Sequence, residues 1–287
     1  MKRILLIAAA AMLSIVAAKA QATDYVIDPE ADAAAFAAAD WGWHSISKDA
    51  EAGYANFKIF NSTQSISVVR YKASSHKTDI YCCPGERRAS TSKTGHDNKA
   101  MAAMNGSYFN VKTLYPTTFM KDKGKQVGWT RPAELYRVNG VFCLKGKVPC
   151  VIEIKDTNDY VAVTKKYKEV MASGPVLVDD GEMKTYDSQK SFYTYRHPRT
   201  MVGCTEDGWI YLVVVDGRFP GQGEGATIAE MAFLAKQFGL YDCLNLDGGG
   251  SSALWTRADG VISHPYDNHC FDCWGERLVP NTIVVKF

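Results

Sequence analysis

Leu244 to Trp255 reads Leu-Asn-Leu-Asp-Gly-Gly-Gly-Ser-Ser-Ala-Leu-Trp. An apolar run, Tyr241 to Leu246, delivers one carboxylate, Asp247, into three consecutive glycines and two serines. Each glycine weakens a regular element by roughly 1 kcal/mol relative to alanine, so three in a row serve where the backbone takes positive φ or another group comes close. A carboxylate at a strand end, facing a turn that offers N–H groups and the Ser251 hydroxyl, suits an anion or a sugar. The same residues also fit a tight hairpin capped by Asp.

A second strand end repeats the pattern. Trp209 to Val215 is very apolar, which predicts a central strand, and it runs into Asp216-Gly217-Arg218. Just upstream, Tyr195-Arg196-His197-Pro198-Arg199-Thr200 places two arginines and a histidine before another strand, Thr200 to Cys204. His197 and His264 have the residue type for proton transfer near neutral pH. Asn105-Gly106 is a turn whose amide could serve a ligand. Asp216, Asp247 and Asn245 could gather a hard cation such as Ca²⁺ through oxygen. No EF-hand-like spacing supports that, and the reading adopted has no metal and no cofactor.

The elements that must position these groups follow from periodicity. Ala31 to Asp40 is alanine-rich and predicts a helix, with Trp41 and Trp43 packing it onto the body. Asn56 to Phe60 and Ser65 to Tyr71 read as strands, and residues 74–99 as a solvated loop. Met101 to Met104 is a buried strand or helix end. Short β-like runs are expected at Glu134 to Val138, Val141 to Leu144, Val151 to Ile154 and Tyr160 to Thr164, with Asn139-Gly140 as a hairpin turn. Ser173-Gly174-Pro175 interrupts an apolar run and predicts a kink or close backbone approach. Thr227 and Glu230 have capping-box spacing ahead of a helix ending at Gly239. Strand, helix and strand between Trp209 and Leu246 form a βαβ-like unit. These elements predict an α+β fold, a β-rich mixed sheet with flanking helices in a single main domain.

The chain has 287 residues, 46% hydrophobic and 22% charged, with a net charge of +2. That balance suggests neither nucleic acid nor an anionic membrane as partner. Lys2 and Arg3, the apolar run Ile4 to Ala18, and Ala18-Lys19-Ala20 read as a signal peptide cleaved after Ala20. The run is short for a membrane span, which needs about 20 residues. The expected organisation is 1–20 signal peptide, 21–64 N-terminal helical and strand extension, and 65–287 main domain, exported to a periplasmic or extracellular location. Eight cysteines in an exported chain favour disulfides, and Cys143 with Cys150, bracketing a short turn, is the first candidate pair.

Taken in order, Asn105-Gly-Ser-Tyr-Phe109, Ser173-Gly-Pro175, Arg199-Thr200 with Gly203, Val215-Asp-Gly217, Thr227 with Glu230, Asn245-Leu-Asp-Gly-Gly-Gly-Ser251 and the closing Cys270 to Val285 region resemble the phosphodiester glycosidase family. The resemblance spans about residues 65–287. Ser107 departs from it, since the family usually has glycine there. The resemblance implies an exported hydrolase acting on a glycosyl phosphodiester of the N-acetylglucosamine type. Such chemistry needs a cation to hold the phosphodiester, best an arginine fork, and a carboxylate for the oxocarbenium-like anomeric carbon. The expected catalytic carboxylates are Asp247, then Asp216, with Glu230 serving either catalysis or its own helix. The expected substrate-binding set is Arg199, Arg196, Arg218, Asn105, Ser173, Gly174, Thr200, Asn245, Gly248, Gly249, Gly250 and Ser251. Competing readings on the same scaffold are a non-catalytic glycan-binding protein and a glycosidase for uncharged glycans.

Overall fold

The computed structural model describes residues 26–83, 89–146, 148–156 and 159–287. The expected signal peptide lies outside the described residues. The expected mixed sheet resolves into three sheets, and among the described residues every strand pair is antiparallel. The largest sheet has eight strands, in the spatial order His44–Ser47, Ala50–Ile59, Ser62–Lys72, Trp209–Val215, Arg199–Cys204, Asp242–Asn245, Val176–Asp179 and Glu182–Met183. A second sheet is built around Val170–Ser173 and Gly140–Lys145, and a third around Ala102–Asn105 and Asn281–Lys286.

Trp209–Val215 is apolar throughout because both of its faces are covered. Ile210, Leu212 and Val214 enter the core shared with the other two sheets. Tyr211, Val213 and Val215 enter the core beneath helix Ile228–Gln237, as the two-residue period of a strand requires. That helix begins with a complete capping box: Glu230 N donates to Thr227 Oγ1 (3.1 Å) and Thr227 N to Glu230 Oε2 (2.8 Å).

The N-terminal segment is part of this architecture. Helix Pro29–Ala38 is capped by Asp28 and packs Phe36 against Trp41 (5.2 Å between centroids). Ser62–Lys72 pairs residue for residue with Trp209–Val215, so the boundary drawn at 64/65 falls inside a central strand.

Four local expectations are corrected. Residues 74–99 hold the edge strand Lys77–Cys82 and helix Thr91–Asp97. Their polarity reflects the outer face of an edge, where Asp79 pairs with Lys77 (3.0 Å) and Lys286 (2.8 Å). Tyr160 to Thr164, rich in β-formers, lies on a short helix, Asp159–Val163, and Thr164 N donates to Tyr160 O. Glu134 to Val138 is likewise helical turn, following Pro132, with Val138 N donating to Glu134 O. Asn139-Gly140 is therefore no hairpin turn: the Asn139 side chain accepts from Val176 N (2.8 Å) and donates to Tyr186 Oη (3.0 Å). The hairpin lies one strand later, between Gly140–Lys145 and Val148–Glu153.

Candidate active site

Two strands end in carboxylates at one edge of the large sheet. Arg199 pairs with Val215 on one side, and Met201 with Asn245 on the other. Trp209–Val215 and Asp242–Asn245 are thus not side by side; the Arg199–Cys204 strand lies between them, antiparallel to both. They therefore run parallel to each other and release Asp216 and Asp247 at the same end. Two strand spacings, roughly 10 Å, separate the chain at the two positions.

The glycine turn after Asp247 is shaped by close approach. Asp247 N donates to Gly106 O (3.0 Å), Gly248 N to Asp247 Oδ1 (3.0 Å), and Gly249 N to Pro198 O (2.8 Å). A Cβ at Gly248 would sit 2.5 Å from Pro198 O, and one at Gly250 1.9 Å from Asp267 Oδ1. Gly249 has φ of 63°, a conformation that costs non-glycine residues about 1 kcal/mol or more.

Three of the polar residues expected to bind substrate, Asn105, Thr200 and Asn245, brace the backbone around this turn. Asn105 is buried, donates Nδ2 to Asp247 O (2.7 Å), and accepts at Oδ1 from Thr200 Oγ1 (3.0 Å) and Ala253 N (3.0 Å). Asn245 Nδ2 donates to Tyr108 Oη (3.0 Å), Gly174 O (2.9 Å) and Leu246 O (2.9 Å). Asn105, Thr200, Gly174 and the amide nitrogen of Asn245 are therefore engaged with protein partners. Ser107 keeps its hydroxyl satisfied by donating to Ala172 O (2.5 Å). By contrast, Ser173 Oγ, Asn245 Oδ1 and Ser251 Oγ are buried without a well-formed hydrogen bond. Among the described residues no group of three or more His, Cys, Asp or Glu is placed to hold a metal ion.

Burial pushes the Asp247 carboxyl up to about 6, opposed by the nearby Ser251 hydroxyl, the charges of Arg137 and Arg277, and Gly248 N–H. Arg137 stacks over the Tyr108 ring (3.8 Å) and pairs with Glu134 (2.6 Å). Arg277 pairs with Asp267 (2.7 Å), and both abut Gly250. Sequence reasoning missed both arginines. Arg277 lay inside the closing region that resembles the family, whereas Arg137 had no signal beyond its aromatic neighbours.

The three arginines expected to hold phosphate have different places. Arg199 is buried and donates to Ala226 O (2.8 Å), Phe192 O (2.6 Å) and Tyr195 O (3.2 Å). Burial pushes its guanidinium down to about 10, so it stays charged at neutral pH while holding the loop before its strand. Arg196 pairs with Glu230 (2.5 Å) and donates to Phe60 O (2.6 Å). Glu230, 1% exposed, is shared between that ion pair and its helix cap. Arg218 is the exposed one. It has φ of 70°, lies over the Tyr266 ring (5.0 Å), and a Cβ on Gly249 would be 3.3 Å from its Nη2. Its guanidinium thus rests against the glycine turn.

Asp216 is 1% exposed. Its Oδ2 accepts from Ser65 Oγ (2.6 Å) and contacts His264 Nδ1 (2.8 Å), and its Oδ1 accepts from His264 N (2.8 Å). The His264 ring stacks on Phe271 at 3.8 Å. Asp216 thus orients an imidazole, a relationship that separation in sequence concealed. His197 is pushed down to about 4 by burial and by the charges of Arg199 and Arg218, which leaves it neutral at pH 7.

This β-rich fold is similar to that of the zebrafish N-acetylglucosamine-1-phosphodiester alpha-N-acetylglucosaminidase catalytic domain auto-inhibited by pro-peptide, with a TM-score of 0.64, 20% identity and 85% of each chain covered. It is also similar to a hypothetical protein from Synechocystis (TM-score 0.61, 15% identity, 83% of this chain and 62% of that one). Residues 98–286 match the family model of the phosphodiester glycosidases, and the chain belongs to that family. In sequence it is 27% identical over 204 residues to the bovine N-acetylglucosamine-1-phosphodiester alpha-N-acetylglucosaminidase, covering 66% of this chain and 37% of that protein. The human protein of the same name is 25% identical, with 38% of its length covered. The match therefore spans under half the length of these relatives. Among the described residues no helix is long and apolar enough to cross a membrane.

Proposed function

We propose that the chain is an exported hydrolase that cleaves a glycosyl phosphodiester, of the N-acetylglucosamine type borne by its relatives' names. Water replaces the phosphate ester at the anomeric carbon; the C1–O bond breaks and the phosphate leaves as an anion. Asp247 is the carboxylate that acts on the anomeric centre, with Ser251 and the N–H groups of the glycine turn orienting the substrate. Arg218, rather than Arg199, is the phosphate clamp, and Arg277 adds positive potential from the far side of the turn. Asp216 positions His264 for proton transfer. Residues 1–20 supply the export signal.

The observation that carries this reading is the Arg218 guanidinium packed on Gly249, two residues from Asp247. A phosphodiester is the substrate group that uses a cation and an adjacent carboxylate together. The test is to purify residues 21–287 and offer an α-N-acetylglucosamine phosphodiester in H₂¹⁸O. The expected result is free sugar carrying the label at C1, abolished in Asp247→Asn. Label in the phosphate would move attack to phosphorus, and saccharide binding without turnover would make the chain a lectin-like member of the family.

A further inference from the structure

A second cavity opens on the surface formed by residues 115–135 and 160. It encloses 680 Å³ and is walled by Tyr115, Trp129, Thr130, Arg131, Leu135 and Tyr160. Its size lies within the range of small-molecule sites, and so does its composition of aromatic walls with a few polar groups. Tyr115 and Trp129 leave 50% and 46% of their surface open. The indole is held by edge contacts with Phe119 (5.5 Å) and Tyr160 (6.4 Å), which themselves stack at 5.2 Å. The Trp129 face is thus exposed yet held by rings behind it, and the Tyr115 ring lines the same cavity. At the cavity's inner end Tyr160 Oη is buried without a well-formed hydrogen bond, Thr130 being its polar neighbour. The Arg131 side chain is exposed at the rim.

Packed side chains link the cavity wall to the candidate active site. Glu134, beside the wall residue Leu135, accepts from Thr117 Oγ1 (3.0 Å) and pairs with Arg137. Arg137 lies on Tyr108, whose hydroxyl meets Asn245, and its charge acts on Asp247. One ion pair and one stacked ring therefore connect the cavity wall to the turn that carries the catalytic carboxylate.

We propose that this cavity is a saccharide subsite, holding a neutral sugar ring of the glycan that lies beyond the scissile phosphodiester. A pyranose presents C–H faces to Trp129 and Tyr115 and hydroxyls to the exposed Arg131 guanidinium at the rim. An alkyl chain would meet the rings but offer the Arg131 donors no acceptor. The position of the ring along the substrate rests on the hydrolase reading; the saccharide chemistry of the cavity does not.

Two measurements on the chain from residue 21 onward test this. Mannotriose and chitotriose, which lack phosphate, are titrated while tryptophan fluorescence and amide NMR shifts are followed. Saturable binding by at least one is expected, weakened about tenfold or more in Trp129→Ala and in Tyr115→Ala, and unchanged in Asp247→Asn. Circular dichroism reports whether the variants fold, and Tyr115→Ala serves if Trp129→Ala does not. Turnover is then compared for N-acetylglucosamine phosphodiesters carrying a methyl or an oligosaccharide aglycone. Both variants should raise KM about tenfold for the oligosaccharide alone. No saccharide binding in the wild type, or binding that neither variant weakens, overturns the subsite. Binding that persists where no phosphodiester is cleaved overturns the hydrolase reading and leaves the subsite standing.

Discussion

Oδ2 of Asp216 lies 2.8 Å from Nδ1 of His264, although 48 residues separate them. The carboxylate is also held by Ser65 and by the His264 backbone, so it fixes both the ring and the strand end that bears it. If Asp216 acts through His264, the two form one unit. His264→Gln should lower kcat by about 10²-fold or more with little change in KM. Asp216→Asn combined with His264→Gln should cost no more than His264→Gln alone. Additive losses in steady-state kinetics would separate the two roles.

Asp247 is raised to about 6 by burial, against an ordinary carboxyl value near 4. A carboxyl whose folded value lies above its unfolded one binds its proton more tightly when folded, so stability falls as pH rises from about 4 through 6. Asp247→Asn should therefore raise stability at pH 7.5 by up to about 2–3 kcal/mol, an advantage that disappears near pH 4, while turnover is lost. Urea denaturation at the two pH values checks it. In the wild type, turnover should rise with pH through about 6 as the carboxylate forms.

Arg218 and Arg199 should respond differently to the same change. Arg218→Ala removes an exposed cation at the glycine turn and should lower kcat/KM by about 10²-fold with Tm nearly unchanged. Arg199→Ala takes the guanidinium donor from the part-buried carbonyls of Phe192 and Tyr195, leaves Ala226 O with His197 N alone, and should destabilise by about 2–4 kcal/mol. Phosphodiester kinetics beside thermal melts would distinguish a clamp from a brace.

Glu230→Ala takes from the Arg196 side chain its carboxylate partner at 2.5 Å and removes one half of the capping box. A loss of about 3–5 kcal/mol is expected, with kcat/KM of the folded fraction kept within about twofold. A large fall in kcat at unchanged stability would return Glu230 to the reaction.

Cys143 and Cys150 face each other across a hairpin with their sulfur atoms 3.1 Å apart. In an oxidising compartment they should join. Loss of two hydrogens by intact mass and a linked tryptic peptide would show it, and Cys143→Ser should then cost about 2 kcal/mol relative to the oxidised protein.

The strand ends, the glycine turn and the helix start of the candidate site were legible from residue order. Apolar runs that end in Asp mark strands buried on both faces, three glycines mark a backbone that others must approach, and Thr227 with Glu230 marks a helix start. All are local properties of a chain, and the tertiary structure places them as their patterns imply. Which arginine is exposed was not legible, because Arg196, Arg199 and Arg218 differ only in what the fold brings to them: Glu230, three backbone carbonyls, or the open side of Gly249. The Asp216–His264 contact and the approach of Arg137 and Arg277 to Asp247 likewise depend on strand order, which sequence spacing does not encode. The large sheet inserts the Arg199 strand between the two carboxylate strands, and that topology decides which side chains share the site.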